Sequence, residues 1–222
     1  MSKKENLMKL IPDQGVLPLF FHKDPEVCVN VLKVLYEGGI RNVEFTNRGA
    51  EALENFKALR KVCDDELPEM YLGSGTIKSK KAAEDFIEAG ADFIVSPGLV
   101  EEVAKAVDAH KLLWIPGCMT PSEIIRAETM GAQMIKIFPG DLLGPGFVSA
   151  IRPIFPDLLF MPTGGVDVDR ENLRDWFKSG VCAVGMGSKL VSKSLLERRA
   201  YSEIKEMTQR VFQTISLARK GL

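Results

Sequence analysis

The most constraining feature of this chain is a rhythm. Short apolar, β-branched segments alternate with longer segments of helical period along nearly its whole length. Segments apolar on both faces suit parallel strands covered by helices. The expected strands are 16–20, 42–45, 70–73, 93–96, 113–116, 134–138, 158–162 and 183–185. The expected helices are 25–37, 50–63, 80–89, 101–109, 121–130, 146–152, 170–178 and 197–220, with a short helix over 3–10 before the first strand. Punctuation agrees with this reading. Asp24-Pro25, Ser79 and Thr120-Pro121 suit helix N-caps, and Gly38-Gly39, Gly90, Gly131 and Gly180 stand where a left-handed C-cap is wanted.

Eight such units in one chain of 222 residues leave about 28 residues per unit, close to the minimum for a (β/α)8 barrel. A doubly wound open sheet would carry a glycine-rich turn after its first strand. Phe20-Phe21-His22-Lys23-Asp24 contains no glycine. The expected fold is therefore α/β: a single-domain (β/α)8 TIM barrel over 1–222, with a short extra N-terminal helix within 1–12 and a C-terminal helix over 197–222.

Composition excludes several function classes. Twenty-nine basic residues against 30 acidic ones leave a net charge of −1 with no long run of one sign, so neither nucleic acid nor an acidic membrane is an expected partner. Cys28, Cys63, Cys118 and Cys182 are far apart, with no C-x-x-C and no nearby histidine, so no metal site is expected. The opening ten residues lack an apolar core of signal-peptide length, and no segment approaches the roughly 18 apolar residues of a membrane span. A cytoplasmic location with free thiols is expected. His22 and His110 are the only imidazoles. Chemistry in this chain thus rests on carboxylates, lysines and backbone donors.

In such a barrel the site lies at the C-terminal strand ends. Lys136 stands between Met134-Ile135 and Ile137-Phe138. Desolvation favours a neutral amine, which is the nucleophilic form. The alternative is a stem packed along the strand with its head in solvent. Glu44 lies in Val43-Glu44-Phe45, where a desolvated carboxyl suits general acid–base work. Its alternative is a structural ion pair with Lys136 or Arg48. Thr163-Gly164-Gly165 and Gly187-Ser188 follow the last two strands, where barrels commonly bind phosphate on backbone N–H groups. Simple turn glycines are the competing reading. His110 is expected to cap a helix C-terminus, Cys118 to fill a loop, and Trp114 and Trp176 to pack.

Together these pieces resemble the 2-keto-3-deoxy-6-phosphogluconate (KDPG) / 4-hydroxy-2-oxoglutarate (KHG) aldolase family of class I aldolases. The likeness is carried by Gly38-Gly39-Ile40, Val43-Glu44-Phe45-Thr46 with Arg48, Gly73-Ser74-Gly75-Thr76, Ser96-Pro97-Gly98 and Pro116-Gly117. It continues through Thr120-Pro121-Ser122-Glu123, Lys136-Ile137-Phe138-Pro139, Met161-Pro162-Thr163-Gly164-Gly165-Val166 and Gly187-Ser188. The resemblance implies that Lys136 is the Schiff-base lysine and Glu44 the proton shuttle. It implies that Arg48 and Thr76 bind the substrate carboxylate, and that Thr163, Gly164, Gly165, Gly187 and Ser188 bind the distal phosphate. Pro97, Pro116 and Phe138 would line the site. Neither metal nor cofactor is implied, the intermediate being covalent on Lys136. The implied substrates are 2-keto acids cleaved to pyruvate and an aldehyde, in a homotrimer. Lys189 departs from the family pattern, which often has a bulky apolar residue there. The alternatives are another phosphate-binding barrel enzyme, such as a sugar-phosphate epimerase or isomerase, and a ligand-binding barrel without activity.

Overall fold

A computed structural model describes residues 2–220. A helix, α1 (Lys3–Gln14), leads into β1 (Val16–Phe20), and βα units follow: α2 (Pro25–Glu37), β2 (Asn42–Thr46), α3 (Ala52–Glu66), β3 (Tyr71–Gly75), α4 (Lys80–Glu88), β4 (Phe93–Val95) and α5 (Glu101–Ala109). The second half comprises β5 (Leu113–Ile115), β6 (Gly117–Cys118), α6 (Pro121–Thr129), β7 (Met134–Ile137), α7 (Gly140–Ile151), β8 (Leu159–Pro162), α8 (Arg170–Lys178), β9 (Val184–Met186), α9 (Lys193–Glu197) and α10 (Tyr201–Arg219).

The paired strands are parallel throughout. They form a curled six-stranded sheet in the order β5-β4-β3-β2-β1-β9 and a three-stranded sheet in the order β6-β7-β8. The expected parallel α/β class is observed, but in place of eight strands in one closed ring the described residues form nine strands in two separate ladders. One junction is Pro116, between β5 and β6; its carbonyl accepts the Lys136 N–H at 2.9 Å. The other is a lone bridge between Thr163 and Gly185. Proline supplies no N–H, so the expected strand 113–116 breaks there into two ladders.

Strand alternation sorts side chains into two apolar clusters. A large outer cluster joins the strands to the helices through residues such as Val43, Phe45, Ile94, Ile135 and Phe160. A smaller inner cluster gathers Leu17, Phe93, Val95, Leu113, Ile115, Met134 and Met161. Leu7 and Ile11 of α1 belong to that inner cluster and are fully buried, so α1 packs against the inner faces of the strands.

The caps read from the sequence form as expected. Asp24, Ser79 and Thr120 each accept a backbone N–H, and Thr120 with Glu123 makes a reciprocal capping box. Gly39, Gly90, Gly131 and Gly180 adopt positive φ, and His110 is the C-cap of α5. Boundaries moved elsewhere for identifiable reasons. Helix α1 passes through Pro12 and stops at left-handed Gly15, beyond the expected limit at 10 or 12. Helix α7 starts at Gly140 rather than 146 and breaks at Gly144, which has φ 70°. The C-terminal helix expected over 197–222 starts later, as α10 at Tyr201, because α9 ends at Glu197 and Arg199 turns left-handed with φ 51°; residues 221 and 222 lie outside the described residues, as does Met1 of the N-terminal segment 1–12. Among the described residues no helix is long and apolar enough to cross a membrane.

Ile11→Ala removes a fully buried side chain from the inner cluster. The expected cost is about 2–5 kcal/mol, checked by the shift of a urea unfolding midpoint.

Candidate active site

Lys136 is the third residue of β7 and Glu44 the third of β2, and both point to the side of the sheets that carries the inner cluster. Their neighbours in sequence, Ile135 and Ile137 beside Lys136 and Val43 and Phe45 beside Glu44, belong to the outer cluster. Alternation therefore turns both charges inward. Lys136 is 5% exposed and Glu44 1%. The amine Nζ lies 3.6 Å from Glu44 Oε1 and 5.3 Å from the centre of the Phe138 ring. That separation makes an ion pair and is longer than a good hydrogen bond. Both Glu44 oxygens are buried without a hydrogen bond among the described residues. Buried polar groups are normally satisfied, and exceptions are where chemistry or strain is found.

Space for the carboxylate comes from Gly75, across the ladder. A Cβ built there would overlap the Glu44 carboxyl, and one at Gly73 would overlap the Phe93 ring. Two glycines spaced by two on one strand face keep the inner side of β3 open. Gly75 carries no chemistry of its own; its register partner is Thr46, and Glu44 pairs with Gly73 two residues earlier on the same strand face. The next residue, Thr76, is half-buried with φ 60°, a left-handed conformation that β-branched side chains rarely adopt.

The other expected site residues fall into three places. Buried Pro116 binds the Lys136 backbone through its carbonyl, and the Pro97 carbonyl lies so near Gly117 that a Cβ there would overlap it. Thr163, Gly164 and Gly165 form the turn after β8. Thr163 is buried with Oγ1 unpaired, and Gly164 and Gly165 have φ 95° and 68°. A Cβ at Gly185 would overlap Thr163 Oγ1, so that glycine lets the ends of β8 and β9 approach. The third place is a groove of about 650 Å³ lined by Arg48, Gly187 and Ser188, together with His22, Lys23 and Lys193. Lys136 and Glu44 do not line that groove. Arg48 is exposed and joins the groove, not the buried pair.

Lys189 and Asp167 connect the turn after β8 to the turn after β9 at 2.6 Å, and the hydrogen bond from Lys189 holds the Asp167 carboxyl below the usual carboxylate range. Sequence reasoning missed that link. Cys118 lies on β6 rather than in a loop, and burial pushes its thiol up to about 12, which leaves it a packing residue at neutral pH. Among the described residues no three His, Cys, Asp or Glu side chains converge as metal ligands.

A buried amine facing a buried carboxylate inside the parallel strands of an α/β fold, beside glycine turns, is the arrangement of an enzyme site. The family model for KDPG and KHG aldolase matches residues 7–207, and the chain belongs to that family. It is 34% identical to the KHG/KDPG aldolase of Escherichia coli (strain K12) over 96% of this chain and 98% of that one. Among solved structures, KDPG aldolase from Legionella pneumophila, with pyruvate captured at low pH as a covalent carbinolamine intermediate, is 28% identical. It covers 91% of this chain and 96% of its own, with a TM-score of 0.83. The 2-keto-3-deoxy-6-phosphogluconate aldolase of Zymomonas mobilis ZM4 with 3-phosphoglycerate is 26% identical over 93% of each chain, with a TM-score of 0.78.

Gly75→Ala is expected to displace Glu44 and slow turnover by at least the 10²-fold typical of a lost acid–base group. The check is steady-state turnover alongside circular dichroism, which should report a folded protein.

Proposed function

We propose that this chain is a class I aldolase that cleaves KDPG to pyruvate and glyceraldehyde 3-phosphate, KHG to pyruvate and glyoxylate, or both. The observation that carries the reading is the buried Lys136–Glu44 pair with its unbonded carboxylate. Glu44 accepts a proton from the Lys136 ammonium, and the freed amine attacks the substrate C2 carbonyl. Glu44 returns its proton to the carbinolamine hydroxyl, which leaves as water; the protonated imine that remains draws electrons from the C3–C4 bond. Glu44 takes the C4 hydroxyl proton as the C3–C4 bond breaks and the aldehyde leaves. Glu44 then delivers that proton to C3 of the enamine, and water hydrolyses the resulting imine, releasing pyruvate and restoring Lys136. The bond-making steps need neither a metal nor a cofactor.

Arg48 and Thr76 are proposed to hold the substrate carboxylate or adjoining oxygens. Thr163, Gly164, Gly165, Gly187 and Ser188 are proposed to hold the distal phosphate. The N–H groups of Gly164, Gly165, Val166 and Ser188 donate no hydrogen bond within the protein among the described residues, which supports an anion there. The phosphorylated compound in the Zymomonas mobilis structure agrees with that reading. Pro97, Pro116 and Phe138 line the pyruvyl end. We take residues 1–222 as one functional unit, its two ladders acting as a single (β/α)8 barrel through the Pro116 and Thr163–Gly185 junctions. A homotrimer is supported by the exposed apolar side chains of Ile125, Leu142 and Ile154, and a cytoplasmic location by the free cysteines.

Borohydride with pyruvate is expected to leave a three-carbon adduct on Lys136, read by peptide mass spectrometry. An unmodified Lys136 in protein that cleaves substrate would overturn the imine mechanism. Glu44→Gln is expected to slow turnover by about 10²–10⁴-fold, measured by coupled pyruvate detection; near-normal turnover would remove Glu44 from its role.

A further inference from the structure

Asn172 and Trp176 stand one helical turn apart on α8 and share one face. Both donate to one acceptor, the Gly165 carbonyl: Asn172 Nδ2 at 3.0 Å and Trp176 Nε1 at 3.3 Å. The same Asn172 side chain accepts the Asp167 N–H through Oδ1 at 2.9 Å. Its amide thus spans the turn, and the donor and acceptor ends are fixed by their partners. Asp169 in turn caps the N–H groups of Glu171 and Asn172, which anchors the start of α8 beneath the turn. Trp176 is 1% exposed, so its ring packs in the core while its indole N–H reaches the turn.

The direction of one peptide follows from this. In a planar trans peptide the carbonyl and the N–H point opposite ways. Holding the Gly165 carbonyl on α8 therefore turns the Val166 N–H away from that helix. The preceding residues do little to fix this orientation themselves, because Gly164 and Gly165 both lie at positive φ and glycine is conformationally permissive. A turn made of glycine needs an outside constraint to hold its donors in one direction.

We propose that Asn172 and Trp176 are positioning residues for anion binding: by pinning the Gly165 carbonyl they aim the Val166 N–H at the distal phosphate of the substrate. The inference rests on the phosphate reading of this turn given above. It assigns Trp176 a task besides packing, and it makes phosphate affinity depend on two side chains that never touch the phosphate.

The test uses Trp176→Phe, Asn172→Ala and the double variant, with inorganic phosphate as the probe. Phosphate affinity is measured by calorimetry, and pyruvate trapping by borohydride reports the Lys136 end of the same preparations. Each single variant is expected to weaken phosphate about three- to tenfold, the effect of one net hydrogen bond, and by more than it slows pyruvate trapping. Trp176→Phe keeps an aromatic ring in the core, so it carries the test if Asn172→Ala does not fold. A double variant with phosphate affinity within twofold of wild type overturns the proposal, as does a parallel loss of phosphate binding and pyruvate trapping. Wild-type protein that traps pyruvate but binds no phosphate overturns the phosphate reading and this proposal together.

Discussion

The structure is organised around two opposite charges held out of water. Removing an isolated carboxylate or ammonium from solvent costs several kcal/mol, and only a close partner offsets it. Lys136 and Glu44 are that partner for each other, at 3.6 Å on strands from different ladders. Their attraction is incomplete by design of the surroundings: the distance exceeds a good hydrogen bond, and the carboxylate oxygens have no other donor. The inner cluster next to the pair, closed by Leu7 and Ile11 of α1, supplies the apolar side of this arrangement.

From that pair the rest of the molecule can be read outward. Gly73 and Gly75 give up side chains so that Phe93 and Glu44 fit on the inner face. Gly185 does the same for Thr163 where β8 meets β9. The loss of packing at each glycine is local, and the surrounding shell of branched and aromatic residues replaces it. At the outer edge, the Lys189–Asp167 pair ties the turns after β8 and β9, and Asn172 of α8 holds the turn after β8. The exposed ion pair adds little stability in water; its effect is to join two glycine-rich turns.

Much of this was legible in the chain. Lys136 and Glu44 stood out because a charge inside an apolar strand has few explanations. The caps at Asp24, Ser79 and Thr120 and the left-handed glycines were readable because each depends on a few adjacent residues. The misplacements occurred where a local preference had more than one solution. Pro116 could end a strand or divide it between two ladders, and the partner strands decided. Residues 140–143 read as loop because Gly144 and Pro145 follow them, yet Gly140 packs on the turn at Thr163 and Gly164 and starts α7 early. Trp176 read as packing because a sequence cannot say which carbonyl an indole N–H will meet.

By itself the sequence determined the parallel α/β class, the order of the units and the identity of the central amine and carboxylate. These follow from periodicity and from the rarity of buried charge, both properties of short segments. Only the tertiary structure decided that the amine and carboxylate meet across two ladders, that Gly75 makes room for their meeting, and that α8 holds the Gly165 carbonyl. Each of those depends on contacts between residues tens of positions apart, where a difference of an ångström separates contact from clash and no local preference sets the distance.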